Sequence, residues 1–368
     1  MSVTAASPLK PVLPAKAGQR LHWYRLPGAS AVLALARAAE QHTGMVLAIT
    51  ENSQQAQQLQ TELRFFLPEQ LPILTLPDWE TLPYDVFSPH QDIVSERIAS
   101  LYRLPQTKRG VLIVPVATLM QRLAPPSYLQ GHGLMVKVGD AFDLDGMAVR
   151  LEQAGYRRVS EVMEHGEFAV RGSLVDLFPM GSDVPYRIDL FDDEVDSIRT
   201  FDPETQRTVD KVERIELLPA REFPVSEAGI TQFRKAYRAA FEGDPSRSLI
   251  YREVSAGHIP NGIEYYLPLF FEQTATLFDY LPDDTLAVRL GRLDEAATEV
   301  WRQIQLRYEQ RRHDLERPIL PPARVFLAPD EVRQQLNELA QVLCFGAAEP
   351  EAPTAHAVSH AVRELPDL

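Results

Sequence analysis

Met45-Val46-Leu47-Ala48-Ile49-Thr50 is a continuous apolar run, too short for a helix and without the alternation of a half-exposed strand. Such a run reads as a buried parallel strand. Ahead of it, Val32, Leu35, Ala36 and Ala39 recur at i, i+3, i+4 and i+7, one face of a helix, and Gly44 ends the pattern. The alternation continues with a helix carrying Leu59 and Leu63, a strand at 73–76, a helix marked by Val94, Ile98 and Leu101, and an apolar strand at 111–116. Strands alternating with helices predict an α/β layer on a parallel sheet. Pro125-Pro126 punctuates the end of this unit.

From about Leu134 to Ala220 the texture changes. Runs with period-two alternation span 167–178, 186–191 and 196–201, separated by Pro179-Met180-Gly181-Ser182-Asp183 and by the acidic turn Asp192-Asp193-Glu194. They predict an antiparallel meander with one helix near 147–154, a small α+β domain at 134–220 inserted into a scaffold formed by 1–133 and 221–347. Within 221–347, helices are expected near 230–241 and 293–315, and a strand at 285–289. Residues 348–368, rich in Ala, Glu, Pro and His, read as a linker or tail.

The turn into the first helix carries chemistry by what it lacks. A working phosphate-binding loop needs G-x-x-x-x-G-K-[ST]: backbone amides around phosphates, a lysine on the β/γ-phosphates and a hydroxyl on Mg²⁺. Here the turn is Leu26-Pro27-Gly28-Ala29-Ser30-Ala31-Val32-Leu33, with Ala31, Val32 and Leu33 where the second glycine, the lysine and the hydroxyl would stand. The expectation is a nucleotide-site scaffold that no longer anchors ATP, with no catalytic residue and no cofactor. A net charge of −14 argues against a chain whose main work is gripping a phosphate backbone. The single cysteine, Cys344, permits no internal disulfide and suits a reducing compartment; a small buried hydrophobe is favoured over a catalytic thiol. With no signal peptide and no apolar run of membrane-spanning length, the expected location is the cytoplasm.

Leu76-Pro77-Asp78-Trp79-Glu80-Thr81-Leu82-Pro83-Tyr84-Asp85 and Ser88-Pro89-His90-Gln91-Asp92 resemble the N-terminal region of bacterial transcription-repair coupling factors. So do Gly166-Glu167-Phe168-Ala169-Val170-Arg171-Gly172, Asp176-Leu177-Phe178-Pro179 and Tyr186-Arg187-Ile188-Asp189-Leu190-Phe191-Asp192-Asp193-Glu194. The likeness runs over nearly the whole chain, and that region of the family is itself similar to the excision-repair helicase UvrB. The resemblance implies a degenerate helicase-like, P-loop NTPase-type parallel-sheet domain carrying the inserted domain. It also implies UvrA as protein partner, with RNA polymerase and DNA handled by other domains of a full-length member, which makes this chain a fragment or truncated relative.

Against UvrB, Leu290 and Gly291 fall where the Mg²⁺-binding and water-activating carboxylates would lie, a second loss beside Gly28. Only eight residues separate Tyr84 from Ile93, too few for the DNA-clamping hairpin of UvrB. The leading expectation is therefore a non-catalytic interaction module that recruits UvrA. The alternatives are a divergent helicase or nucleotide hydrolase and a UvrB-like lesion binder.

The candidate contacts lie in the inserted domain. Along 186–191, Tyr186, Ile188 and Leu190 form an apolar face, leaving Arg187, Asp189 and Phe191 on the other. Along 169–177, Arg171 is expected in phase with Ser173 and Val175, opposite Val170 and Leu174. An aromatic beside arginines has the composition of an interface hot spot. The competing readings are an internal salt bridge for Arg171 and Arg187, and cover by the following turn for Phe191. The resemblance implies partner contact for all three and for Arg158. UvrB carries a further arginine where this chain has Ala169, so the contact sets differ. Residues 134–221 hold 11 Lys and Arg against 19 Asp and Glu, a balance of −8 that repels DNA. His90, His165 and His258 lack partners at metal-ligand spacing, and Asp192-Asp193-Glu194 reads as a polar hairpin turn rather than a cation site.

Overall fold

A computed structural model describes residues 4–348, 356–360 and 362. Five strands precede the change of texture: β1 (Thr4–Ala6), β2 (Arg20–Tyr24), β3 (Met45–Thr50), β4 (Ile73–Thr75) and β5 (Gly110–Pro115). Eight follow: β6 (Leu134–Lys137), β7 (Arg157–Arg158), β8 (Glu167–Arg171), β9 (Leu174–Leu177), β10 (Tyr186–Phe191), β11 (Glu194–Phe201), β12 (Thr208–Val212) and β13 (Arg214–Leu217). The last three are β14 (Leu286–Leu290), β15 (Ala340–Cys344) and β16 (Ala357–His360).

The first and last groups form one parallel sheet of eight strands, ordered β1-β16-β2-β15-β14-β3-β5-β4. Every residue of β3 and β5 is buried, as continuous apolar strands require when both faces are covered. Helix α1 (Ser30–Gln41) crosses from β2 to β3 and buries Val32, Leu35, Ala36 and Ala39. Ala34 and Ala38 are buried too, because small side chains let neighbouring elements close on more than one face. Helix α2 (Ser53–Phe66) is capped by Asn52, whose side chain accepts the Gln55 N–H at 2.9 Å. Helix α3 (Gln91–Arg103) starts at His90, whose Nδ1 accepts from the Asp92 N–H.

The middle strands form a separate six-stranded sheet, ordered β12-β11-β10-β9-β8-β7, beside a two-stranded sheet of β6 and β13. Three expectations need correction here. The meander is mixed, because β7 runs parallel to β8. The run 167–178 is two strands joined through Gly172-Ser173, with Gly172 at φ +64°, so Arg171 pairs with Leu174 and shares its face rather than that of Val175. The third concerns the tail: Ala357–His360 is a buried strand between β1 and β2, not linker. The remainder of the expected tail, 349–355, 361 and 363–368, lies outside the described residues.

One apolar core joins the two units, running from Leu112 and Val114 of β5 to Phe168, Val175 and Ile188 of the smaller sheet and on to Phe223 and Phe270. Polar links cross the same junction. Ser95 Oγ accepts the Gly181 N–H at 2.8 Å, and the Tyr102 hydroxyl donates to Glu216 at 2.8 Å. Arg97, fully buried, donates Nε to Glu222 at 2.6 Å and stands 5.1 Å from the Trp79 ring centre. Among the described residues no helix is long and apolar enough to cross a membrane.

Candidate partner-binding face

Directly opposed residues of neighbouring strands share a face, so the register of the six-stranded sheet sorts its side chains. One face, with Phe168, Val175, Leu177, Ile188 and Leu190, enters the main core. The other carries Ala169 opposite Asp176, Arg187 opposite Asp176, and Arg199 opposite Arg187. At one end of this outer face Val162, Ala169, Phe178 and Phe201 make a small apolar cluster of their own. Ala169 is only 1% exposed there, so the arginine that UvrB has at this place would not fit without displacing the cluster.

Asp176 organises the face. Its carboxylate is fully buried, and a buried charge persists only if paired and hydrogen-bonded. Arg187 meets it with two donors, Nε to Oδ1 at 2.6 Å and Nη2 to Oδ2 at 2.9 Å, while Arg171 donates Nη2 to Oδ2. Arg187 also donates Nη1 to the Gln206 carbonyl at 3.3 Å and lies 5.0 Å above the Phe201 ring. The Asp176 hydrogen bonds push the Arg187 pKa above its ordinary value, fixing the guanidinium as a cation. The internal salt bridge weighed for both arginines is therefore present, yet the two differ. Arg187 is a largely covered strut, 18% exposed, while Arg171 is 46% exposed with most of its donors uncommitted.

Phe191 ends β10 on the same outer face, 74% exposed, so the following turn does not cover it. That turn, with Asp192 at φ +52°, is a tight connection in which Phe191 pairs with Glu194. Arg158 stands apart. It is exposed on β7 in register with Phe168, whose side chain enters the core; Arg157 is the residue aligned with Glu167 and bonded to it at 2.5 Å. Sequence reasoning missed Asp176 as the organiser of the pair, because its partners lie on two other strands and the pairing register is invisible before folding.

The residues expected of a degenerate nucleotide site also meet. Gly28, Ala31 and Val32 at the start of α1 line a cleft of about 440 Å³ with Leu290, Gly291 and Cys344, at the carboxyl ends of the parallel strands. Leu33 is half buried in α1, outside the cleft lining. Ser30 Oγ donates to the Pro27 carbonyl at 2.6 Å. Glu51, the carboxylate against Gly291, accepts the Arg292 N–H at 2.5 Å and Gln55 Nε2 at 3.0 Å. Burial pushes the Cys344 thiol up to about 11, which keeps it protonated. His90 caps α3, His165 lies between Asp92 and Ser182, and His258 pairs with Glu253. Among the described residues no group of three His, Cys, Asp or Glu is placed to hold a metal ion.

Comparison with known proteins matches residues 134–223 to the family described as the UvrB interaction domain. The chain is 48% identical over 331 residues to the transcription-repair-coupling factor of Escherichia coli (strain K12), covering 90% of this chain and 29% of that protein. Against the Haemophilus influenzae protein of the same name the identity is 47% over 320 residues, 86% of this chain and 28% of the relative. For Myxococcus xanthus it is 32% over 363 residues, 93% and 30%. The chain thus spans about three-tenths of the length of the curated relatives it matches. On this likeness the chain corresponds to the N-terminal region of transcription-repair-coupling factors, with a UvrB interaction domain at residues 134–223.

Proposed function

We propose that this chain is a non-catalytic interaction module that recruits UvrA for nucleotide excision repair through the outer face of the six-stranded sheet. The observation that carries the reading is the coincidence of a UvrB interaction domain at 134–223 with an outer face that holds out Arg171 and Phe191. Guanidinium donors make charge-assisted hydrogen bonds to acceptors on a partner, and an exposed aromatic supplies apolar area to bury. In this proposal Arg187 chiefly supports Arg171, and Arg158 is a peripheral contact. In a longer member of the family, engagement of RNA polymerase and translocation on DNA belong to other domains.

The parallel-sheet unit is, on this reading, a helicase-like scaffold retained without its ATPase chemistry. The cleft at Gly28 has no lysine in its lining, and Ser30 is bonded to its own chain. The competing reading, a divergent nucleotide hydrolase, draws on the placement of the cleft at the strand carboxyl ends, where α/β sheets bind ligands. Calorimetric titration separates the two: ATP with Mg²⁺ is expected to give no binding up to roughly millimolar concentration. A stoichiometric heat at micromolar ATP overturns the scaffold reading. For the partner, titration of UvrA into the chain is the test, with Phe191→Ala and Arg171→Ala each expected to weaken binding by roughly 1–4 kcal/mol. Unchanged affinity in both variants places the interface elsewhere.

A further inference from the structure

Arg187, Arg199 and Lys211 stand directly opposite one another on β10, β11 and β12, a row of three cations across the outer face. Like charges in direct cross-strand register destabilise a sheet unless something offsets them. Arg187 has its offset in Asp176. The side chains of Arg199 and Lys211 make no hydrogen bond or ion pair among the described residues, and Arg199 Nε is shielded from solvent without an acceptor. Arg171 lies beyond Asp176 on the same face, so cations reach from β8 to β12. Asp189 is the other carboxylate on this face along β10, and it forms no ion pair with the row. This concentration of positive charge sits in a segment, 134–221, whose 11 Lys and Arg are outnumbered by 19 Asp and Glu.

We propose that Arg199 and Lys211 are further partner contacts, and that the row Arg187–Arg199–Lys211 receives a carboxylate-bearing protein segment laid across the strands. The inference rests on the UvrA reading and extends its face from Arg171 and Phe191 to β12. A protein occupant fits better than nucleic acid, since the acidic surround repels a phosphate backbone while single carboxylates can be seated between the cations. Partner carboxylates would relieve the like-charge register of the row.

The test uses the full chain and purified UvrA, with Lys211→Glu, Arg199→Gln and the off-face control Lys108→Glu. Melting temperature is measured beside affinity at two salt concentrations. Lys211→Glu is expected to weaken UvrA binding roughly tenfold at low salt and less at high salt, with an unchanged melt. Arg199→Gln is expected to weaken it at least about threefold. Full affinity in both variants, while Phe191→Ala still weakens binding, overturns the extension and leaves the smaller interface standing. Full affinity in Phe191→Ala and Arg171→Ala as well places the UvrA interface away from this face and overturns the extension with it. An equal loss in Lys108→Glu shows general electrostatics and overturns the row as a site. Loss of single-stranded DNA binding in Lys211→Glu, with UvrA affinity intact, assigns the row to nucleic acid and overturns it as well. If Arg199→Gln fails to fold, Lys211→Glu decides alone, since Lys211 is exposed.

Discussion

Arg187 and Phe191, both expected from sequence to be partner contacts, do different physical work. Arg187→Ala removes two of the bonds to a fully buried carboxylate and uncovers Phe201. It is expected to cost about 1–3 kcal/mol of stability, the cost of a buried group left short of partners. Phe191→Ala, at a position 74% exposed, should stay within about 0.5 kcal/mol. Urea unfolding of the two variants checks this; equal stability loss in both contradicts the division. A third residue makes stability depend on pH. Glu264 is buried, accepts from Ser88 Oγ at 2.8 Å, and is pushed by desolvation from 4.5 up to about 7. The folded chain then keeps a proton that the unfolded chain releases above 4.5, so stability falls as pH rises toward about 7 and is level beyond. The contribution lost is of order 3 kcal/mol, and Glu264→Gln should abolish this component between pH 5 and 8. Identical pH dependence in parent and variant would refute it.

At the scale of elements, β16 shows where a compositional reading stops. Its residues sit in a stretch rich in Ala, Glu and Pro, which in sequence marks a linker, yet Ala357 and Val358 are each 2% exposed. The strand fills the place between β1 and β2, and His360 stacks edge-on against Trp23 at 5.6 Å. Four residues with one strongly apolar side chain give too little periodic signal to stand out; an open strand edge supplied the reason to fold. Val358→Ala is therefore expected to destabilise the chain by about 1–3 kcal/mol, as a core truncation does. A midpoint of denaturation equal to that of the parent would mean that the segment contributes nothing. The opposite case is β3: six apolar residues in a row were legible at once, because burial on both faces leaves no other reading.

For the molecule as a whole, the question is how separable the two units are. A span of 134–223 has the length of ordinary independent domains, and its own sheet pairs all six strands internally. The apolar core nevertheless continues across the junction, and Arg97–Glu222 is a buried ion pair just outside the smaller sheet. Expressed alone, 134–223 is expected to melt cooperatively with dispersed amide resonances, at a lower temperature than the full chain, because apolar residues of the shared core become exposed. A molten or aggregated product would show that the scaffold is required for folding rather than for added stability. The junction also explains why a boundary visible as a change of periodicity is not a boundary of the core.

What the sequence determined by itself was local and periodic: the apolar strands, the helix faces, the change of pattern near 134, and the absence of a G-K-[ST] signature at the first turn. These follow from spacing along one chain segment, which needs no knowledge of what packs against it. The tertiary structure decided everything that depends on register between segments. It turned Gly172-Ser173 into a tight connection and so set Arg171 on the face of Leu174, brought Asp176 between two arginines from different strands, aligned Arg187 with Arg199 and Lys211, and drew residues 357–360 into the sheet. A one-residue slip in pairing exchanges the faces of a strand, and the pairing energy that prevents the slip is shared among neighbours distant in sequence. The candidate face is therefore a property of the assembled sheet, written in residues that carry no common signal until they are brought side by side.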